Sequence, residues 1–165
     1  MIARLLPALV LTLAAMFCGI ALYINLAEQP ARLALADAPL LEQWKVSFGV
    51  ALLLQSALAM ASGVAGLATW WTHRDWRWAA GGLLMLANWP WTLLVIAPIN
   101  NALLAISAAS AGPVSRALIE QWGVVHAGRT AISIVAVALF ISAIARSIKE
   151  ATGMTRRQKA GMGGI

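Results

Sequence analysis

Four long apolar stretches constrain the fold of this chain more than any other feature of its sequence. They cover about residues 5–27, 46–71, 79–104 and 124–146. Each is longer than the roughly 20 residues that an α-helix needs to cross the hydrocarbon core of a bilayer. Only 11% of the residues are charged, whereas ordinary soluble domains have about 25%. The sequence therefore predicts an all-α, polytopic membrane protein folded as a four-transmembrane-helix bundle.

The chain is predicted to form one transmembrane domain, residues 1–150, followed by a basic cytoplasmic tail, residues 151–165. Its last helix is predicted over 113–149, which by helical rise is longer than the hydrocarbon, so its first turns must stand above the membrane or break near Gly123. The first apolar stretch is long enough to span, and the segment around Cys18 lacks the small residues of a signal-peptide cleavage site. That stretch is therefore expected to be a retained helix.

The lysine and arginine residues are shared unequally between the two sides of such a bundle. The side that holds both termini has eight: Arg4, Arg74, Arg77, Arg146, Lys149, Arg156, Arg157 and Lys159. The opposite side has four: Arg32, Lys45, Arg116 and Arg129. Because the excess faces the cytoplasm, we predict a multi-pass protein of a bacterial-type inner (plasma) membrane with both termini cytoplasmic. These basic residues flank apolar segments, so membrane lipid is the expected partner and nucleic acid is not.

A polar stripe enters the last apolar helix from its N-terminal end. Trp122, His126, Arg129 and Ser133 follow one another at helical spacing and lie on one face. Ionisable side chains at the edge of the hydrocarbon are costly, and they usually pair with another group or serve a function. This stripe is the first candidate for a functional site.

The predicted topology brings other polar residues to the same outward-facing mouth. The end of the first helix contributes Glu28, and the end of the third contributes Asn100 and Asn101. A carboxylate there needs a cation, for which Arg129 is the expected partner. Three interpretations of Glu28 stay open: an ion pair that ties the first helix to the fourth, a proton acceptor in a pocket, or a solvated interfacial residue.

Prolines and small residues complete the expectations for the helices. Asn25 lies three residues before Glu28 and is expected on the same helical face. Pro30 and Pro98 should kink or end their helices. Small residues in the second helix, such as Gly63 and Gly66, should allow close helix packing. Four tryptophans near the cytoplasmic loop are expected to form an interfacial belt: Trp70, Trp71, Trp76 and Trp78.

Three segments together resemble a known family. They are Leu22–Arg32 with Glu28-x-Pro30, Trp91–Asn101 with Pro98-x-Asn100, and Trp122–Arg129 with Trp-x3-His-x2-Arg. Their order and spacing are similar to those of the anthrone oxygenase-like family of small four-helix membrane proteins, over about residues 10–148. Fungal members oxidise polyketide anthrones to anthraquinones with molecular oxygen. The resemblance implies these pocket residues: Glu28, Asn100, Asn101, His126 and Arg129.

An anthrone is a flat aromatic ketone with an acidic carbon between its rings. Its oxidation needs a base, a donor or cation for the developing oxyanion, and an apolar pocket. Either His126 or Glu28 could be the base, and Arg129 with Asn100 could hold the oxyanion. The expected catalytic residues are His126, Glu28 and Arg129. The expected substrate-binding residues are Tyr23, Asn25, Trp91, Asn100, Asn101 and Trp122.

No cofactor is predicted. The two histidines, His73 and His126, lie on opposite sides of the predicted membrane, so a three-histidine metal cluster cannot form in one chain. A single-histidine haem through His126 stays open. The partners that stay open are a small apolar aromatic ligand and further copies of the chain. The alternative function is non-enzymatic: a small membrane protein that binds a lipid, a quinone or a partner protein, with the polar cluster only holding helices together.

Overall fold

The computed structural model of the protein describes the backbone of residues 2–162 and the side chains of residues 5–154. The basic tail residues Arg156, Arg157 and Lys159, like Arg4 near the N-terminus, have side chains outside the described part of the chain. Within residues 2–162 the elements are helices, and no strand occurs. The predicted all-α class is confirmed.

The helices follow one another in four groups. In chain order they are α1 (Ile2–Tyr23), a first π-helical segment (Ile24–Glu28), α2 (Gln29–Leu33), α3 (Asp37–His73), α4 (Trp76–Trp91), a second π-helical segment (Thr92–Ile96), α5 (Ala97–Ala105), a short 3-10 helix (Ala108–Ser110) and α6 (Pro113–Met162). Where helices follow one another without a gap, they form one continuous rod. Thus α1, the first π-helical segment and α2 form one rod, and α4, the second π-helical segment and α5 form another.

Four helical rods are long and apolar enough to cross a membrane. They are Leu5–Leu33, Asp37–His73, Trp76–Ala105 and Pro113–Met154, here called the first to fourth spans. The protein is therefore a multi-pass membrane protein with a four-helix bundle, as the sequence predicts. The fourth span belongs to one continuous helix, α6, which does not break at Gly123. With 50 residues, α6 is much longer than the hydrocarbon is thick.

Each π-helical segment ends just before a proline in the next helix. The N–H of Gln29 donates to the Ile24 carbonyl and the N–H of Ala97 donates to the Thr92 carbonyl, each five residues back. A turn of this kind contains one extra residue, which accommodates Pro30 and Pro98 without ending the rod. The wider turn also changes which side chains share a face, with consequences for the site.

Two apolar clusters fill the bundle. One surrounds Phe17, Met85 and Phe140, and the other surrounds Trp44 and Trp122. Along α6 the first cluster uses residues 136–143 and the second uses residues 119–122. The rest of the polar stripe of the fourth span, His126, Arg129 and Ser133, lies between these two stretches of α6 and is buried inside the protein.

Close packing of the second and third spans agrees with the prediction from small residues. A Cβ atom added to Gly66 would come within 3.0 Å of the Gly82 Cα, and one added to Gly63 would come within 3.0 Å of the Gly82 carbonyl oxygen. The prediction of an interfacial belt is wrong for one tryptophan. Trp78 is buried and its ring stacks on Phe140 at 5.3 Å, because the start of α4 packs against α6. Trp71 and Trp76 are exposed.

Candidate functional site

A small enclosed space, here called the central cavity, lies where all four spans meet. Its volume is about 20 Å³, enough for one water molecule or for one atom of a larger ligand. Each span contributes polar side chains to its wall. They are Arg32 from the first span, Ser47 and Gln55 from the second, Thr92 and Asn100 from the third, and His126 and Arg129 from the fourth.

The imidazole of His126 is buried and is oriented by Asn25 of the first π-helical segment. The Asn25 amide nitrogen donates to the Gly123 carbonyl at 3.0 Å, so its oxygen must be the atom that faces His126 Nδ1 at 2.9 Å. The same oxygen accepts from the Thr130 hydroxyl at 2.7 Å. Because an amide oxygen only accepts, a neutral His126 carries its proton on Nδ1. Its Nε2 is then the nitrogen that is left with a lone pair for a ligand.

An aromatic stack supports this histidine. The His126 ring stacks on Trp122 with ring centroids 4.7 Å apart. Trp122 in turn meets the edge of Trp44 at 5.9 Å, and its indole N–H donates to Asn100 Oδ1 at 2.9 Å. The ring of His126 is therefore held by packing as well as by Asn25, and Asn100 is occupied by Trp122.

The guanidinium of Arg129 is buried without a partner. The residue is 6% exposed, and within the described side chains it makes no ion pair or hydrogen bond. The guanidinium carbon lies over the ring of Phe17, 5.2 Å from its centroid. A buried charge of this kind is costly unless something compensates it. The site thus offers a cation with unused donors.

Two further unused donors line the same cavity. Gln55 Nε2 and Arg32 Nε are buried and have no hydrogen-bond partner among the described residues, as is true of Arg129 Nε. Buried donors normally have acceptors, and the central cavity is the space that Arg32, Gln55 and Arg129 share. Their common requirement is an acceptor, such as a ligand oxygen that carries negative charge.

The predicted ion pair between Glu28 and Arg129 is wrong. Glu28 pairs with Arg32 of the same rod, and it accepts hydrogen bonds from Ser47 and Gln43 of the second span. The pair thus ties the first span to the second and not to the fourth. The physical reason is the π-helical segment: with one extra residue in the turn, Asn25 faces the fourth span while Glu28 faces the second.

Three other residues of the predicted site lie away from the central cavity. The indole of Trp91 packs against Gly128, where an added Cβ would come within 2.5 Å of it, and its N–H donates to the Val125 carbonyl at 3.0 Å. Tyr23 is 62% exposed, and Asn101 is also exposed. None of these three residues lines the central cavity.

The structure adds functional candidates that the sequence patterns did not single out. Gln55 lies near the middle of an apolar span, and a polar residue at that depth is the signal that could have identified it. No sequence pattern indicates a role for Thr130, because that role depends on a hydrogen bond to Asn25, which is 105 positions away in the sequence. Gln29 holds the first and fourth spans together by donating to the Ile119 carbonyl at 2.8 Å.

No group of three or more His, Cys, Asp and Glu side chains comes together to hold a metal ion in the part of the chain that the structure describes. The cavity wall instead combines one imidazole, two guanidinium groups and side-chain amides. This set of groups can take up a proton at His126 and can donate hydrogen bonds to an oxyanion.

Comparison with known proteins identifies the family. The sequence model of the anthrone oxygenase family matches residues 44–139, which is more than half of the chain. The matched region includes Asn100, Trp122, His126 and Arg129, whereas Asn25 and Glu28 precede it. No curated protein and no solved structure matches the chain. From the match over the second, third and fourth spans, this chain belongs to the anthrone oxygenase family.

Proposed function

We propose that this protein is an oxygenase that needs no cofactor and that oxidises a flat aromatic ketone of the anthrone type with molecular oxygen. The observation that carries the proposal is the wall of the central cavity. It joins an imidazole with a free Nε2 to three buried donors that have no acceptor among the described residues. A base beside an oxyanion site is what enolate chemistry requires.

The reaction begins with proton transfer. His126 Nε2 takes a proton from the acidic carbon between the rings, and the negative charge of the resulting enolate collects on the ketone oxygen. Arg129 and Gln55 donate hydrogen bonds to that oxygen, which stabilises the anion. Glu28 is not the base in this proposal, because its carboxylate is engaged by Arg32, Ser47 and Gln43.

Oxygen then reacts with the anion. The enolate gives one electron to molecular oxygen, and the carbon radical and superoxide combine to form a carbon–oxygen bond. The protonated His126 returns its proton to the peroxide. Loss of the second hydrogen from the same carbon breaks the oxygen–oxygen bond and releases water, which leaves a new carbonyl. One oxygen atom enters the quinone and the other leaves as water, so atoms and electrons balance.

The alternative function, a bundle whose polar cluster only holds helices together, accounts for part of the site. Asn25, Gln29 and Trp91 all bind the backbone of the fourth span. It does not account for Arg129, which is buried and, among the described residues, joins no helix to another by an ion pair or a hydrogen bond. A ligand oxygen would supply the missing partner, which favours a ligand-binding site over a purely structural cluster. Oxygen uptake then separates catalysis from binding of a lipid or a quinone alone.

The proposed orientation follows the distribution of basic residues. With both termini in the cytoplasm of a bacterial-type cell, the ends of the first and third spans and the start of the fourth lie on the outer side. Asn25, Asn100 and His126 then belong to the extracytoplasmic half of the bundle. The substrate would be oxidised, and oxygen reduced, on that side and not in the cytoplasm.

Oxygen uptake by the purified protein in lipid nanodiscs, with anthrone as substrate, tests the proposal. We expect uptake of one oxygen molecule per anthraquinone formed, above the rate with empty nanodiscs. His126→Gln should lower kcat by about 10²–10⁴-fold because the base is lost. Arg129→Met should lower it by about 10²–10³-fold because the oxyanion loses its cation.

Matched controls use the same residue types elsewhere in the chain. His73→Gln and Arg146→Met change an exposed histidine and an exposed arginine of the described structure, and they should leave the rate unchanged. The proposal is wrong if the wild-type protein gives no uptake above empty nanodiscs. It is equally wrong if the kcat values of His126→Gln and Arg129→Met equal those of their control variants.

A further inference from the structure

A second space, here called the lipid-side crevice, lies between the second and third spans. Its volume is about 210 Å³ and its lining includes Leu52, Ser56, Asn88, Trp89, Thr92 and Arg129. Three of these residues, Leu52, Thr92 and Arg129, also line the central cavity. The crevice therefore adjoins the central cavity, and Arg129 belongs to both.

The outer rim of the crevice is apolar and faces the hydrocarbon. Leu93 is 59% exposed and Trp89 is 40% exposed. Ser56 lies near the middle of the second span, and Trp89 lies near the middle of the third. Water does not reach this depth of a bilayer, so only a lipid-soluble molecule can arrive at the rim.

The central cavity and the lipid-side crevice differ in size and can therefore hold different parts of a ligand. The central cavity has room for one ligand atom, whereas the crevice has about ten times its volume and can take the apolar body of a small aromatic ligand. A ligand that reaches both would place a polar atom beside Arg129 and its rings between Leu52 and Trp89.

The crevice also contains an unused acceptor. Asn88 is 1% exposed, and its amide nitrogen turns back to donate to the Leu84 and Met85 carbonyls at 3.2 Å. Its side-chain oxygen is buried and has no partner among the described residues. Arg129 therefore lacks a hydrogen-bond acceptor, which a ligand oxygen would provide. The Asn88 oxygen lacks a donor, which a ligand hydroxyl would provide.

We infer that the lipid-side crevice is the binding site for a lipid-soluble, hydroxyl-bearing flat aromatic ketone, which enters sideways from the bilayer, directs its ketone oxygen to Arg129 and donates its hydroxyl to Asn88. The inference rests on the proposed function for the identity of the reaction. It goes beyond that function by assigning the route of entry and by naming Asn88 as the residue that selects for a hydroxyl group.

Binding of two unreactive product-type probes tests the inference independently of turnover. The probes are anthraquinone and 2-hydroxyanthraquinone, and the readout is quenching of tryptophan fluorescence in nanodiscs, corrected for the quenching of a tryptophan octyl ester by partitioned probe in nanodiscs without protein. The wild-type protein should bind 2-hydroxyanthraquinone about tenfold more tightly than anthraquinone, because only the former fills the Asn88 acceptor. In Asn88→Leu the two affinities should become equal.

Three phenylalanine variants locate the route. Ser56→Phe fills the crevice and should weaken binding of both probes by at least about tenfold. Ala68→Phe, at an exposed position of the same helix outside the crevice lining, should bind as the wild type does. Val46→Phe narrows a hollow near Ser47 on the other approach to the central cavity, and it should also leave binding unchanged.

The outcomes separate this inference from the proposed function. Probe binding that is lost in Ser56→Phe, together with no oxygen uptake by the wild type, would support the site and reject the reaction. Oxygen uptake with unchanged binding in Ser56→Phe, or binding lost only in Val46→Phe, would overturn the lateral route. Absence of probe binding by the wild type, or an unchanged preference in Asn88→Leu, would overturn the inference as well.

Discussion

The guanidinium of Arg129 is buried in a membrane-spanning helix without a counter-charge among the described residues. Removing such a charge from water costs several kcal/mol. A cation–π contact of the kind made with Phe17 contributes about 2 kcal/mol in a desolvated site. The remaining cost is not offset by any described contact of this residue. An oxyanion bound beside Arg129 would offset it, which is why this residue is central to the proposed chemistry.

Asn25 is a positioning residue for His126, and replacing it tests that role. In Asn25→Leu the His126 Nδ1–H loses its acceptor and the imidazole is no longer fixed in one tautomer. We expect kcat for anthrone oxidation to fall by about 10–100-fold, as it does for residues that orient a functional histidine, while KM changes little. Steady-state oxygen uptake over a range of anthrone concentrations measures both constants.

Thr130→Val is the matched control for Asn25→Leu. It removes the other hydrogen-bond donor to the Asn25 oxygen but leaves the contact with His126 intact. Its kcat should stay within about threefold of the wild-type value, since one neutral hydrogen bond contributes only about 1 kcal/mol. Equal losses of kcat in both variants, or a rise in KM alone for Asn25→Leu, would show that Asn25 does not act through His126.

At the scale of the helices, the two π-helical segments explain most of the difference between the expected and the observed site. From a regular α-helix, Asn25 and Glu28 are expected on one face, with Arg129 as the partner of the carboxylate. The extra residue in Ile24–Glu28 separates them. Pro30 and Pro98 could be recognised in the sequence, but whether a proline kinks a helix, ends it or widens its turn depends on the packing around it.

The contact between the third and fourth spans depends on Gly128, and this contact provides a prediction at the scale of the helices. In Gly128→Ala the new Cβ would lie within 2.5 Å of the Trp91 ring, so the helices must move apart. We expect a loss of about 1–3 kcal/mol in the free energy of unfolding, the usual cost of overpacking. Thermal or denaturant unfolding in detergent micelles measures this loss.

Gly49→Ala is the matched control for the glycine substitution. Nothing lies within 4 Å of a Cβ added at Gly49, and alanine has the higher helix propensity, so this variant should be neutral or more stable by up to about 1 kcal/mol. A stability of Gly128→Ala equal to that of Gly49→Ala would contradict the close packing of Trp91 against the fourth span.

At the scale of the whole molecule, the sequence was sufficient for the class of fold and for the family. Long apolar stretches predict four spans because a bilayer imposes their length, and this holds whatever the packing inside the bundle. The residues that meet at one cavity were harder to predict. His126 and Arg129 were found from their spacing on one helix, whereas the orientation of His126 by Asn25 and the unused donors of Gln55 and Arg32 depend on how four helices pack.

The most direct measurement of the central claim is an experimental structure of the protein in a lipid nanodisc with 2-hydroxyanthraquinone bound. We predict that the rings lie between the second and third spans, with a ketone oxygen about 3 Å from a nitrogen of Arg129 and the hydroxyl group beside the Asn88 oxygen. Density for the ligand elsewhere on the bundle would contradict this prediction. So would an Arg129 guanidinium that pairs with a protein carboxylate and makes no contact with the ligand.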